Sequence, residues 1–116
     1  MNNCNLTSYY TKNQDDEVCL ENVKQNGLDL QIVENQDDKI CLAAVEQNGF
    51  ALKFVENQND DICLAAVKNY GFALNFVKNQ TEEMCLIAVN QNSWALEYVD
   101  KEKFTNVYVY YKLLFS

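Results

Sequence analysis

Cys19, Cys41, Cys63 and Cys85 stand 22 residues apart, and the residues around them recur with the same step. Leu20, Leu42, Leu64 and Leu86 follow directly, and Val23, Val45, Val67 and Val89 come three later. Gly27, Gly49 and Gly71 recur, with Ser93 in the fourth place. Leu30, Leu52, Leu74 and Leu96 follow, then Val33, Val55, Val77 and Val99. The pair Asn-Gln recurs at Asn13-Gln14, Asn35-Gln36, Asn57-Gln58 and Asn79-Gln80. A fixed period of this size means stacked units, none able to bury its own apolar face alone. About three units suffice for a continuous core, and the 116 residues hold four. The period divides one domain into a partial repeat (1–14), units 15–36, 37–58, 59–80 and 81–102, and a C-terminal cap (103–116).

Within a unit, Ile40, Cys41, Ala44 and Val45 show the i, i+1, i+4, i+5 spacing of a helix face. Asp15, Asp37, Asn59 and Thr81 are N-cap residues, and the acidic residues that mostly follow suit the helix dipole. The glycines read as left-handed C′ residues ending this helix, with Leu28, Phe50, Phe72 and Trp94 folding back as in a Schellman motif. The second half, such as Phe50 to Val55, fits two helical turns. Alternating Phe50, Leu52 and Phe54 also fit a strand, which would make a leucine-rich-repeat horseshoe. The spacing Leu-x-x-Val twice over departs from that pattern. The fold expected is therefore all-α: a short right-handed solenoid of paired helices, four 22-residue repeats with terminal caps. Leu6 to Tyr10 read as a degenerate half-repeat. Phe104, Val107, Tyr108, Tyr111, Leu114 and Phe115 read as a helix covering the fourth repeat, although Val107 to Tyr111 also has strand character.

The segments CLAAVEQNGFALKFVENQ (41–58) and CLIAVNQNSWALEYV (85–99) resemble short helical repeats of unknown function abundant in giant viruses of amoebae, the mimivirus relatives. Their signature, Leu-Ala-Ala-Val-x-x-Asn-Gly-x-Ala-Leu-x-x-Val, is matched position for position by Leu42 to Val55. The resemblance spans about residues 13–100 and departs at Glu21-Asn22, Asp29, Tyr70 and Ser93. It implies a viral origin and action in host cytoplasm, and it brings no catalytic residues.

Several classes of function are disfavoured. A net charge of −8 opposes nucleic acid and anionic membrane surfaces. No apolar run is long enough to span a bilayer, and residues 1–10 do not form a signal peptide. A cytoplasmic chain with five reduced cysteines follows. Equivalent cysteines lie one helix-packing distance apart, about 8–10 Å, too far for a shared bond or zinc ion. They read as core, with Cys4 free and no metal or cofactor. With no His and no Gly-rich phosphate loop, an enzyme is not expected. The acidic pairs mark helix starts, and the Asn and Gln ladders read as turn-holding residues or, alternatively, a polar ligand row. The aromatic ladder reads first as core, then as an exposed groove. Positions 31, 53, 75 and 97 are polar yet different in every unit. Gln31, Lys53, Asn75 and Glu97, with Trp94, are the candidate surface for a protein partner. Self-association through the terminal repeats is the alternative.

Overall fold

An aspartate, asparagine or threonine starts each interior α-helix. The side chains of Asp37, Asn59 and Thr81 accept from the N–H groups of Ile40, Ile62 and Met84, at 2.8, 2.9 and 3.2 Å. In the computed structural model, which describes residues 16–116, these helices are α1 (Asp16–Gln25), α2 (Asp38–Gln47), α3 (Asp60–Asn69) and α4 (Glu82–Gln91). A six-residue 3-10 helix follows each: η1 (Gly27–Ile32), η2 (Gly49–Phe54), η3 (Gly71–Phe76) and η4 (Ser93–Tyr98). A last helix, α5, spans Thr105–Phe115, and no strand occurs among the described residues. The chain is an all-α repeat solenoid, and the horseshoe alternative fails. The half-repeat read at Leu6 to Tyr10, the cap at Asp15 and the state of Cys4 lie outside the described residues.

The second half of each unit is a 3-10 helix because its apolar residues recur every third position. Three residues per turn eclipse positions i and i+3, so Gly49, Leu52 and Val55 form one buried column. Ile40, Cys41, Ala44 and Val45 of α2 close on it, all at most 3% exposed. The same set recurs in α3 and α4, and the layers merge into one core. That core is aliphatic and thiol. No polar or charged residue among the described ones is buried.

The glycines are not left-handed. No residue described has positive φ. The helix-ending position is held by Asn48, Tyr70 and Asn92 in extended conformation, φ near −150°. Glycine is required at the position after it by the next repeat. A Cβ on Gly49 would stand 2.5 Å from the Ala66 carbonyl oxygen and 2.7 Å from Tyr70 Cβ. The fourth unit has Ser93 in this place, and Ser93 is exposed.

Two amide ladders join neighbours. Gln36 reaches forward: its Nε2 donates to the Phe54 carbonyl (2.9 Å) and its Oε1 accepts from the Glu56 N–H (3.0 Å). Gln58 does the same with Phe76 and Lys78, and Gln80 with Tyr98 and Asp100. A second ladder reaches backward. The N–H groups of Gly27, Gly49 and Gly71 donate to the side-chain oxygens of Gln47, Asn69 and Gln91, at 2.7, 2.7 and 2.8 Å. Both ladders stop after the fourth unit: Glu102 and, within α5, Leu113 stand in the equivalent places. Its outgoing flank carries α5 instead.

Phe104, Val107, Tyr108 and Tyr111 of that segment pack half-buried against the core, whereas Leu114 and Phe115, read with them as part of the cap, are 58 and 48% exposed. The Tyr111 hydroxyl lies 3.4 Å from Asn90 Oδ1. Yet α5 has no fully buried residue, and its other face is open. The molecule measures 55 × 21 × 17 Å, and no described helix is long and apolar enough to cross a membrane.

Candidate interaction surface

The cysteine ladder is structural. Cys41, Cys63 and Cys85 are free and buried, and their thiols lie 3.6, 3.4 and 3.4 Å from Oε1 of Gln36, Gln58 and Gln80. One glutamine oxygen therefore receives both a thiol and an N–H from the following unit. Burial, and then the neighbouring carboxylates of Asp38, Asp37 and Glu56, raise the Cys41 thiol from 9.0 to about 11. Burial and Asp60 do the same for Cys63, also to about 11. These thiols stay protonated at neutral pH and are poor nucleophiles and poor metal ligands. Among the described residues, no cluster of His, Cys, Asp or Glu is placed to hold a metal ion. Cys19 is disulfide-bonded, so the expectation of five reduced cysteines does not hold there.

The aromatic ladder is not core. Phe50, Phe54, Phe72 and Phe76 are half-buried on the 3-10 helices, while Trp94 and Tyr98 are exposed, Trp94 by 72%. The rings meet edge to face across repeats: Phe50 with Phe76 at 5.2 Å, and Phe72 with Tyr98 at 5.9 Å between centroids. Such pairs add about 0.5–1.5 kcal/mol beyond their burial. The small Leu and Val columns fill the space between the helices, so the larger rings stay at its margin.

The structure places Gln31, Lys53, Asn75 and Glu97 at the same exposed position of η1 to η4. Each follows by three residues a member of the row Leu28, Phe50, Phe72, Trp94, so the 3-10 geometry eclipses the two. Lys53 Nζ accordingly lies 5.6 Å from the Phe50 ring centroid. The result is a strip of variable polar heads above half-buried apolar rings. Trp94 ends it, beside an open cleft of about 400 Å³ shared by Glu97, Lys112 and Phe115. A second cleft, about 460 Å³, lies on the α-helical side among Leu42, Glu46, Leu64, Ala65, Lys68 and Asn69. Sequence reasoning placed its candidate partner surface on the second halves of the units instead, at Gln31, Lys53, Asn75 and Glu97. The backward ladder of Gln47, Asn69 and Gln91 it missed, although the recurring amides were a visible signal.

Stacked α/3-10 units, identical neighbour contacts and a long variable face define a helical repeat protein. The chain belongs to the family described as domain of unknown function DUF4116, matched at residues 15–59, 37–80 and 59–102. Each match spans two units and steps by one, so a pair of neighbours is the recognised element. No curated protein and no solved structure matches the chain.

Proposed function

We propose that the chain is a non-catalytic interaction module that binds a protein partner along its 3-10 face. One observation carries this reading. Gln31, Lys53, Asn75 and Glu97 are exposed, differ in every unit, and overlie an apolar row that ends in Trp94. Apolar aromatic anchors with polar groups around them have the composition of protein interfaces. A row fixed only by folding would repeat its residues, as the Leu and Val columns do. The absence of His from the sequence and the protonated, buried thiols leave little for a catalyst to use. Action in a host cytoplasm rests on the resemblance to viral repeats alone.

The test is affinity capture from host cytoplasm with wild type and with the double variant Trp94→Ala, Lys53→Glu. Both sites are exposed, so circular dichroism should be unchanged. The protein that wild type retains should be lost at least about tenfold, the effect of truncating one aromatic anchor of ≥ 2 kcal/mol. Equal retention by both forms, or no retained protein, overturns the reading.

A further inference from the structure

From the open face of α5 we infer that the chain forms a twofold dimer in which the α5 helices of two copies pack against each other. This goes beyond the binding face proposed above and uses a different surface. Val109, Tyr110, Leu113 and Leu114 are 46, 60, 70 and 58% exposed. Their i, i+1, i+4, i+5 spacing is the one with which α2, α3 and α4 enter the core. The opposite face already packs on the fourth repeat through Phe104, Val107, Tyr108 and Tyr111. Thus α5 is apolar on both sides, a pattern that belongs to a helix covered on both sides.

The occupant is set by charge and area. The whole chain carries −8, yet residues 104–116 contain no Asp or Glu. Lys112 carries the single charged side chain there, and its Nζ lies 5.9 Å from the Tyr108 ring, off the open stripe. Two acidic copies can therefore meet on α5 without bringing carboxylates together. An apolar stripe is also self-complementary, as an isologous contact requires. The stripe offers roughly 400 Å² of apolar surface, close to the apolar share of the ~800 Å² each partner gives to a standard interface. Joined this way, two arrays would continue one helical layer, with α5 sandwiched as the interior helices are.

Light scattering after size exclusion, over a wide concentration range, tests the proposal on the full chain. Wild type should show about twice the 13.4 kDa of one chain and fall toward it on dilution. Leu113→Glu, at a site 70% exposed, should keep the helical spectrum and raise the dissociation constant by roughly 100-fold, because each dimer would bury two unpaired charges. Lys53→Glu, on the other face, should leave the mass unchanged. Asn106→Cys, within the stripe on the helix wheel, should give a covalent dimer on mild oxidation. Wild type that stays monomeric at every concentration, a dimer insensitive to Leu113→Glu, or one broken by Lys53→Glu would each overturn it.

Discussion

Gly49 shows how one residue type can be required for a reason other than backbone freedom. In a helix or turn of ordinary φ, replacing glycine by alanine commonly stabilises a protein by ~0.4–1 kcal/mol. Here φ is ordinary, but the added methyl would press on the Ala66 carbonyl oxygen and Tyr70 of the next repeat. Backbone atoms of a close-packed neighbour must then move, which costs about 1–3 kcal/mol. Gly49→Ala should accordingly lower the urea midpoint, with a loss of that size. Ser93→Ala, with no repeat stacked on it, should change stability by less than about 0.5 kcal/mol. Equal effects at the two sites would contradict the close approach. The 22-residue step made the glycine positions legible in the sequence. Their cause was not, because a glycine that ends a helix and one that admits a neighbour look alike in a single chain. Ser93 was the available clue: the glycine is relaxed in the one unit that no further repeat follows.

Elements in this chain are joined less by their own termini than by side chains sent from the adjacent unit. Gln58 alone supplies both the donor for the Phe76 carbonyl and the acceptor for the Lys78 N–H, and it also receives the Cys63 thiol. Gln58→Ala would strip partners from a half-buried turn, a loss of about 1–3 kcal/mol for each group left unsatisfied away from water. Water reaching the vacated site would keep the total near the lower end. Chemical denaturation of Gln58→Ala beside Gln31→Ala, an exposed residue with no such bonds, would reveal the difference; matching midpoints would refute the ladder's role. The α-helices were legible down to their caps, since the side chains of Asp37, Asn59 and Thr81 do what their residue types favour. The second helices were legible as helices but not as 3-10. Gly-x-x-Leu-x-x-Val has a period of three, and fitting Phe50 to Val55 to two ordinary helical turns obscured it. That misplacement put the rings into the core, whereas the structure sets them half-exposed beneath Lys53 and its equivalents.

For the whole molecule, neighbour-only contacts predict that a unit can be removed cleanly. Deleting residues 59–80 joins Gln58 to Thr81, reproducing the natural sequence Asn-Gln-Thr-Glu-Glu of the Gln80 junction. Gln58 would then face Tyr98 and Asp100 as Gln80 does now. The shortened chain should stay helical and cooperative, with a denaturant slope lower by roughly a fifth to a quarter, as expected when exposed surface scales with unit number. Circular dichroism with urea titration checks this; a deletion that abolishes helicity would mean that the array is not modular. The array's extent and its unusual end were visible in residues 103–116, but not the double-sided character of α5. Its spacing satisfies two faces at once, and a single sequence does not say how many are covered. The paired ladders have a further consequence. At each junction the forward glutamine comes from the preceding unit and the backward amide from the following one, so a unit fits wherever its two neighbours supply those groups. A gene encoding such a chain can gain or lose whole units by duplication or recombination and still specify a sound product. Only the two ends need bespoke sequence, and copy number becomes a trait that inheritance can adjust independently of the fold.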